Sequence, residues 1–145
     1  IKVKSDCNKD INLRFYFPQN FKQNKKNSII IFFHGGGFVM GNLDTHDFTC
    51  RSICIESKMI VIAVDYSLSP EYKFPYALNE AKDTLKSIPS FEKEFKLDLN
   101  NVFVWVPAGI FNLALPFKVG ISISEPNAAC AKLIGTSKSR SSSSL

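Results

Sequence analysis

Three stretches of this chain are apolar almost without interruption, and they set its architecture. Ser28–Phe33 (SIIIFF), Met59–Tyr66 (MIVIAVDY) and Asn101–Val106 (NVFVWV) lack the alternation of a half-solvated strand. Each therefore reads as a strand covered on both faces of a parallel sheet. Between them the period turns helical. In DTHDFTCRSICIESK, Phe48, Cys50, Ile53 and Cys54 predict one inner face, with Asp44 or Thr45 as the cap. In PEYKFPYALNEAKDTLKSIP, Leu78, Ala81, Leu85 and Ile88 predict an amphipathic helix that stops before Pro89. Ahead of these, IKVKS and INLRFYFP flank the polar turn DCNKD and predict an antiparallel hairpin. The alternation of strand and helix predicts an α/β fold with a mostly parallel sheet and right-handed crossovers. From residue 117 no period persists, and residues 117–145 read as an irregular, Ser-rich, disordered tail behind a folded part at 1–116.

Composition narrows the function classes. A chain of 145 residues, 45% hydrophobic and 21% charged, is enough for one modest domain. The net charge of +5 comes from lysines scattered along the chain, with no basic stripe interleaved with aromatics, so no nucleic-acid partner is expected. No apolar run reaches the roughly 18–20 residues of a membrane span. Cys7, Cys50, Cys54 and Cys130 form no C-x-x-C pair and have no histidine at ligand spacing, so no metal is predicted. Cys50 and Cys54 read as buried apolar positions. The compartment stays open because the sequence begins at Ile1, with a cytoplasmic setting preferred.

One motif carries chemistry. His34-Gly35-Gly36-Gly37 follows directly on a buried strand, where glycine is entropically costly. Successive glycines let bare amides approach a ligand. That suits a phosphate cradle, an oxyanion hole, or a tight turn with no function. Neither G-x-G-x-x-G nor a P-loop lysine follows, which disfavours phosphate. Prearranged amides facing a tetrahedral oxyanion fit better, and lipases and esterases carry such a motif in the loop after their third strand.

IIIFFHGGGFVMGNLDTHD, followed by VDYSLSPEYKFPYALNEAKD, resembles the hormone-sensitive-lipase branch of the α/β-hydrolases, which includes carboxylesterases and arylacetamide deacetylase. The resemblance runs from about Ser28 to Ala114. It implies a partial α/β-hydrolase fold truncated after the fifth strand, and hydrolysis of carboxylic esters without a cofactor. It assigns the oxyanion amides to Gly35 and Gly36, with Gly109 as a lesser contributor, and loop bracing to His34. Asp65, Tyr66 and Glu71 match a segment of the active-site wall, in which Ser67 and Ser69 replace the usual Arg and Ala.

The nucleophile is where the resemblance fails. The family's GDSAGGNLA elbow should follow NVFVWV, but the chain reads VPAGIFNLA. An ungapped alignment puts Ala108 at the serine, and a shifted one puts Pro107 there. Neither side chain can attack an ester. Ile110 and Phe111 stand where the elbow needs glycine. GISIS and GTSKS are each one glycine short of G-x-S-x-G and lie beyond the elbow. The only histidines, His34 and His46, precede the elbow, and Glu125 is the sole acid after it. The first expectation is therefore an esterase-family chain that is inactive as given. Two alternatives stand beside it: non-catalytic binding of a small ester or carboxylic acid, and self-association through an exposed edge of the fifth strand.

Overall fold

A computed structural model describes residues 1–6, 9–107, 119–125 and 128–133. The chain opens with β1 (Lys2–Lys4) and β2 (Asp10–Tyr16), antiparallel to each other as the hairpin predicts. Next come β3 (Asn27–Phe33), α1 (Asp47–Ser57), β4 (Ile60–Asp65) and α2 (Tyr76–Ser87). A 3-10 turn (Ile88–Phe91) and the short α3 (Glu92–Phe95) lead into β5 (Leu97–Pro107). The last two strands are β6 (Val119–Glu125) and β7 (Ala128–Leu133).

The sheet is mixed, in the order β1-β2-β4-β3-β5-β7-β6. Its centre, β4-β3-β5, is parallel, as the three apolar runs require. Helices cover both faces. Ile29, Ile31 and Phe33 pack with Ile60, Ile62, Leu85 and Ile88 on one side. Ile30 and Phe32 pack with Cys50, Cys54 and Val61 on the other. Period-two side-chain alternation thus feeds two cores from the same strand.

Several expectations need correcting. The Asn42 side-chain oxygen accepts the amides of Asp44 (2.9 Å) and Thr45 (2.8 Å), while Arg14 takes the Asp44 carboxylate and the Thr45 hydroxyl accepts the Asn42 amide, so those residues close a turn and do not cap α1. His46 takes the cap position without a side-chain bond. Phe48 is 82% exposed, because two helical residues turn the chain about 200° from the face that buries Cys50. On α2 the buried stripe runs through Glu80, Thr84 and Leu85, with Ala77 and Ala81 packed beside it. The irregular segment expected from residue 117 contains two strands. There VGISISE alternates apolar positions with small ones, a period-two signal only seven residues long. The edge of β5, expected to lie open, is paired antiparallel with β7 from Val102 to Pro107.

Candidate active site

The glycine loop leaves the carboxyl end of β3, where parallel α/β sheets place their ligands. Gly36 has φ +128°, and a Cβ there would sit 1.9 Å from the Met40 carbonyl oxygen. The amides of Val39 and Met40 both donate to the Gly36 carbonyl at 3.1 Å, which winds the loop tightly around that residue. Only glycine fits such a turn. Gly41, at φ +100°, meets a different restraint: a Cβ would lie 2.6 Å from the His34 Nδ1. Gly36 and Gly37 are exposed and Gly35 is half-buried, so the loop backbone lies at the surface.

His34 packs against this loop. Its side chain is only 1% exposed, and Nδ1 lies 2.8 Å from the Gly35 carbonyl oxygen. A carbonyl only accepts, so Nδ1 carries the proton and Nε2 keeps its lone pair. That buried Nε2 has no hydrogen-bond partner among the described residues. Tyr66 stacks on the imidazole at 4.3 Å, and its hydroxyl donates to the His34 carbonyl at 2.6 Å. His46 lies stacked against His34 at 5.3 Å. Burial pushes the His34 pKa below its ordinary value and His46 adds to this, while the Gly35 bond and Asp65 oppose it. Burial likewise raises Tyr66 to about 12.

The strain extends to Phe38, a bulky residue at φ +64°. Its carbonyl accepts the Ser69 amide at 2.7 Å, and its ring meets Tyr66 at 6.0 Å. The loop is thereby tied to the segment that follows β4.

The sequence-predicted residues separate into three groups. His34, Gly35, Gly36 and Tyr66 come together as one unit. Asp65 is half-buried beside it and accepts a bond from Asn12 Nδ2 at 3.3 Å, whereas Glu71 is exposed. Pro107 ends β5, with its backbone opposite Ala128, and Ala108 and Gly109 lie outside the described residues.

Two supporting clusters were not legible in the sequence. Buried Glu80 accepts the Ser67 amide at 2.6 Å and the Ser67 hydroxyl at 2.9 Å, while Lys9 donates to that hydroxyl at 2.7 Å. Where the resemblance expects arginine a serine stands, and the cation reaches the carboxylate from the hairpin through the Ser67 hydroxyl. The second cluster holds the loop's far end. Arg14 binds Asp44 at 2.8 Å and Asp47 at 3.4 Å, and Asp47 also accepts from Tyr16 at 2.8 Å and Arg51 at 2.6 Å. Glu80 and Thr84 interrupt the apolar stripe of α2 four residues apart, which was the available signal for the first cluster.

A cleft of about 590 Å³ opens beside these groups, lined in part by Asn12, Arg14, Asn42, Asp44 and Asp65. Among the described residues, no three metal-ligating side chains converge and no helix is long and apolar enough to cross a membrane.

Comparison with known proteins places the fold in a family. The family described as alpha/beta hydrolase fold matches residues 30–105. The chain is 37% identical over 94 residues to esterase LipI of Mycobacterium tuberculosis, covering 65% of this chain and 29% of that protein. It is 36% identical over 93 residues to an acetyl esterase of Salmonella schwarzengrund, covering 64% and 28%. Among solved structures, the hyperthermophilic esterase of Pyrobaculum calidifontis superposes with a TM-score of 0.66 at 33% identity, covering 72% of this chain and 32% of that one. EstE1, a thermophilic carboxylesterase from a metagenomic library, gives 0.66 at 35% identity, covering 72% and 34%. The chain thus spans about three-tenths of the length of the curated relatives it matches.

Proposed function

The chain belongs to the α/β-hydrolase fold family, and we propose that residues 1–116 are the N-terminal part of a carboxylic-ester hydrolase that keeps the oxyanion loop without a nucleophile. The observation that carries this reading is Gly36, whose φ and lack of room for a Cβ admit only glycine in an exposed loop at the carboxyl end of β3. In the full reaction a serine attacks the ester carbonyl, a histidine takes its proton, and the amides of Gly35 and Gly36 stabilise the oxyanion. Neither Pro107 nor Ala108 can attack, and no histidine follows them in these 145 residues. The chain as given is therefore inactive on esters.

The test is p-nitrophenyl butyrate hydrolysis by the purified chain, beside Ala108→Ser and Gly36→Val variants whose folding is checked by circular dichroism. The reading expects no turnover from the original chain. Turnover abolished by Gly36→Val would reveal a second nucleophile and overturn it.

The cleft favours a second reading, non-catalytic binding of a small molecule. Asp44 and Asp47 already neutralise Arg14, and Asp65 adds a further carboxylate, so a neutral or cationic ligand suits this cleft better than a carboxylic acid.

A further inference from the structure

We propose that the end of the sheet opposite the glycine loop is a docking surface for an anionic phospholipid membrane. Lysines that look scattered along the chain are gathered here by the fold. Lys22, Lys25 and Lys26 lie in the loop before β3, and Lys93 and Lys96 lie in and just after α3. One residue ties the two segments together. The Asn27 side chain donates to the carbonyls of Lys22 (3.1 Å), Lys25 (2.9 Å) and Lys96 (3.4 Å), and its amide donates to Lys96 at 2.8 Å.

The charge is unbalanced. Against five lysines stand Glu92 and Glu94, and Glu92 is taken by Lys26 at 3.1 Å. Asp98, the next acid, accepts from Asn100 and Asn101. Lys22, Lys25, Lys93 and Lys96 are exposed and make no ion pair among the described residues.

These lysines border an aromatic cluster. Phe15 meets Phe95 at 4.9 Å and Phe91 at 5.7 Å, while Phe17 meets Phe21 at 5.0 Å and Phe95 at 5.5 Å. Phe17 is 41% exposed, and Phe21, Phe91 and Phe95 are half-buried. Apolar rings bordered by lysines match the interfacial zone of a bilayer, where the rings sit at headgroup depth and the ammonium groups meet lipid phosphates. A single-strand nucleic-acid surface would instead need open ring faces along a groove, and here the rings pack on one another.

The surface is separate from the ester site. It lies where Asn27 of β3 pairs with Leu97 of β5, whereas the glycine loop leaves β3 seven residues later, about 20 Å along the strand.

The experiment is co-sedimentation of the chain with vesicles of phosphatidylcholine alone, or with about one-third phosphatidylglycerol, at about 50 mM and about 500 mM salt. The proposal expects binding to the anionic vesicles at low salt and its loss at high salt. Lys22→Glu/Lys25→Glu should weaken that binding at least about tenfold, since each lysine at the surface contributes several-fold. Lys2→Glu/Lys4→Glu makes the same charge change on β1, whose partners Asn12 and Asp10 lie towards the glycine-loop end of the sheet, and should leave binding unchanged. Thermal unfolding confirms that both variants fold. Absence of binding at low salt, equal weakening by the two variants, or tighter binding to a single-stranded oligonucleotide than to the anionic vesicles would each overturn the proposal.

Discussion

Gly36→Ala tests whether the loop is wound as tightly as its dihedral angles imply. An added methyl at this position would sit 1.9 Å from the Met40 carbonyl oxygen and 2.7 Å from its carbon, both backbone atoms that no rotamer change can move aside. The loop must therefore unwind, giving up the two bonds from Val39 and Met40 to the Gly36 carbonyl. Those bonds contribute about 1 kcal/mol each. An unwinding that stops short, because the loop stays tethered at both ends, leaves the new alanine in positive-φ backbone at a further 1–3 kcal/mol or so. The substitution should thus destabilise the chain by about 3–5 kcal/mol. Gly37 supplies the comparison. It lies at φ +62° with nothing within 4 Å of an added Cβ, so alanine there meets only the left-handed backbone penalty of about 1–2 kcal/mol. Urea unfolding followed by the fluorescence of Trp105, the one tryptophan, should separate the two midpoints by about 1 M or more. Equal midpoints for the two variants would refute the winding at Gly36, and with it the reason for a glycine there.

Two further outcomes follow from the buried groups. Because His34 has a lowered pKa, the unfolded chain takes up its proton at higher pH than the folded chain does. The stabilising effect of the neutral ring is complete above the unfolded value near 6.5 and is lost as pH falls below it. Asp47 and Asp83 are held below their ordinary range and act only at more acidic pH. Urea midpoints between about pH 7.5 and 5 should fall in the native chain and stay nearly flat in His34→Asn, and parallel curves would exclude the effect. Burial raises Cys50 to about 11, and Cys54 is raised by the same cause. Peptide mapping after iodoacetamide treatment at pH 8 should find both thiols unmodified until urea unfolds the chain, and rapid labelling in the native state would contradict their burial.

The centre of the sheet was legible because its strands are apolar on both faces, a pattern no solvated element shares. The tight turn at Gly36 was legible because glycines after such a strand are costly without a purpose, whereas His34 entered only through the family resemblance. Tertiary pairing accounts for the rest. Phe48 looked buried by type, yet its angle around α1 points it outward. Asp44 and Thr45 looked like caps, but Arg14 holds the Asp44 carboxylate and the Thr45 hydroxyl accepts the Asn42 amide. Glu80 is buried because Ser67 and Lys9 come to it from 13 and 71 residues away, a link no local window contains. The lysine cluster escaped notice for the same reason: its two segments, about 70 residues apart, are joined by Asn27 and by the Lys26–Glu92 ion pair.

The pairing of β3 with β5 also has a consequence in time. Asn27 finds its partner at Leu97, about 70 residues later in the chain. At ribosomal speeds of about 5–20 residues per second, several seconds separate the two during synthesis. Throughout that interval Ile29–Phe33 can be flanked only by β4, and one long edge of a fully apolar strand faces solvent or a chaperone. The strand that anchors the finished sheet is thus the nascent chain's most adhesive segment, and its safety depends on how promptly residues 97–106 emerge.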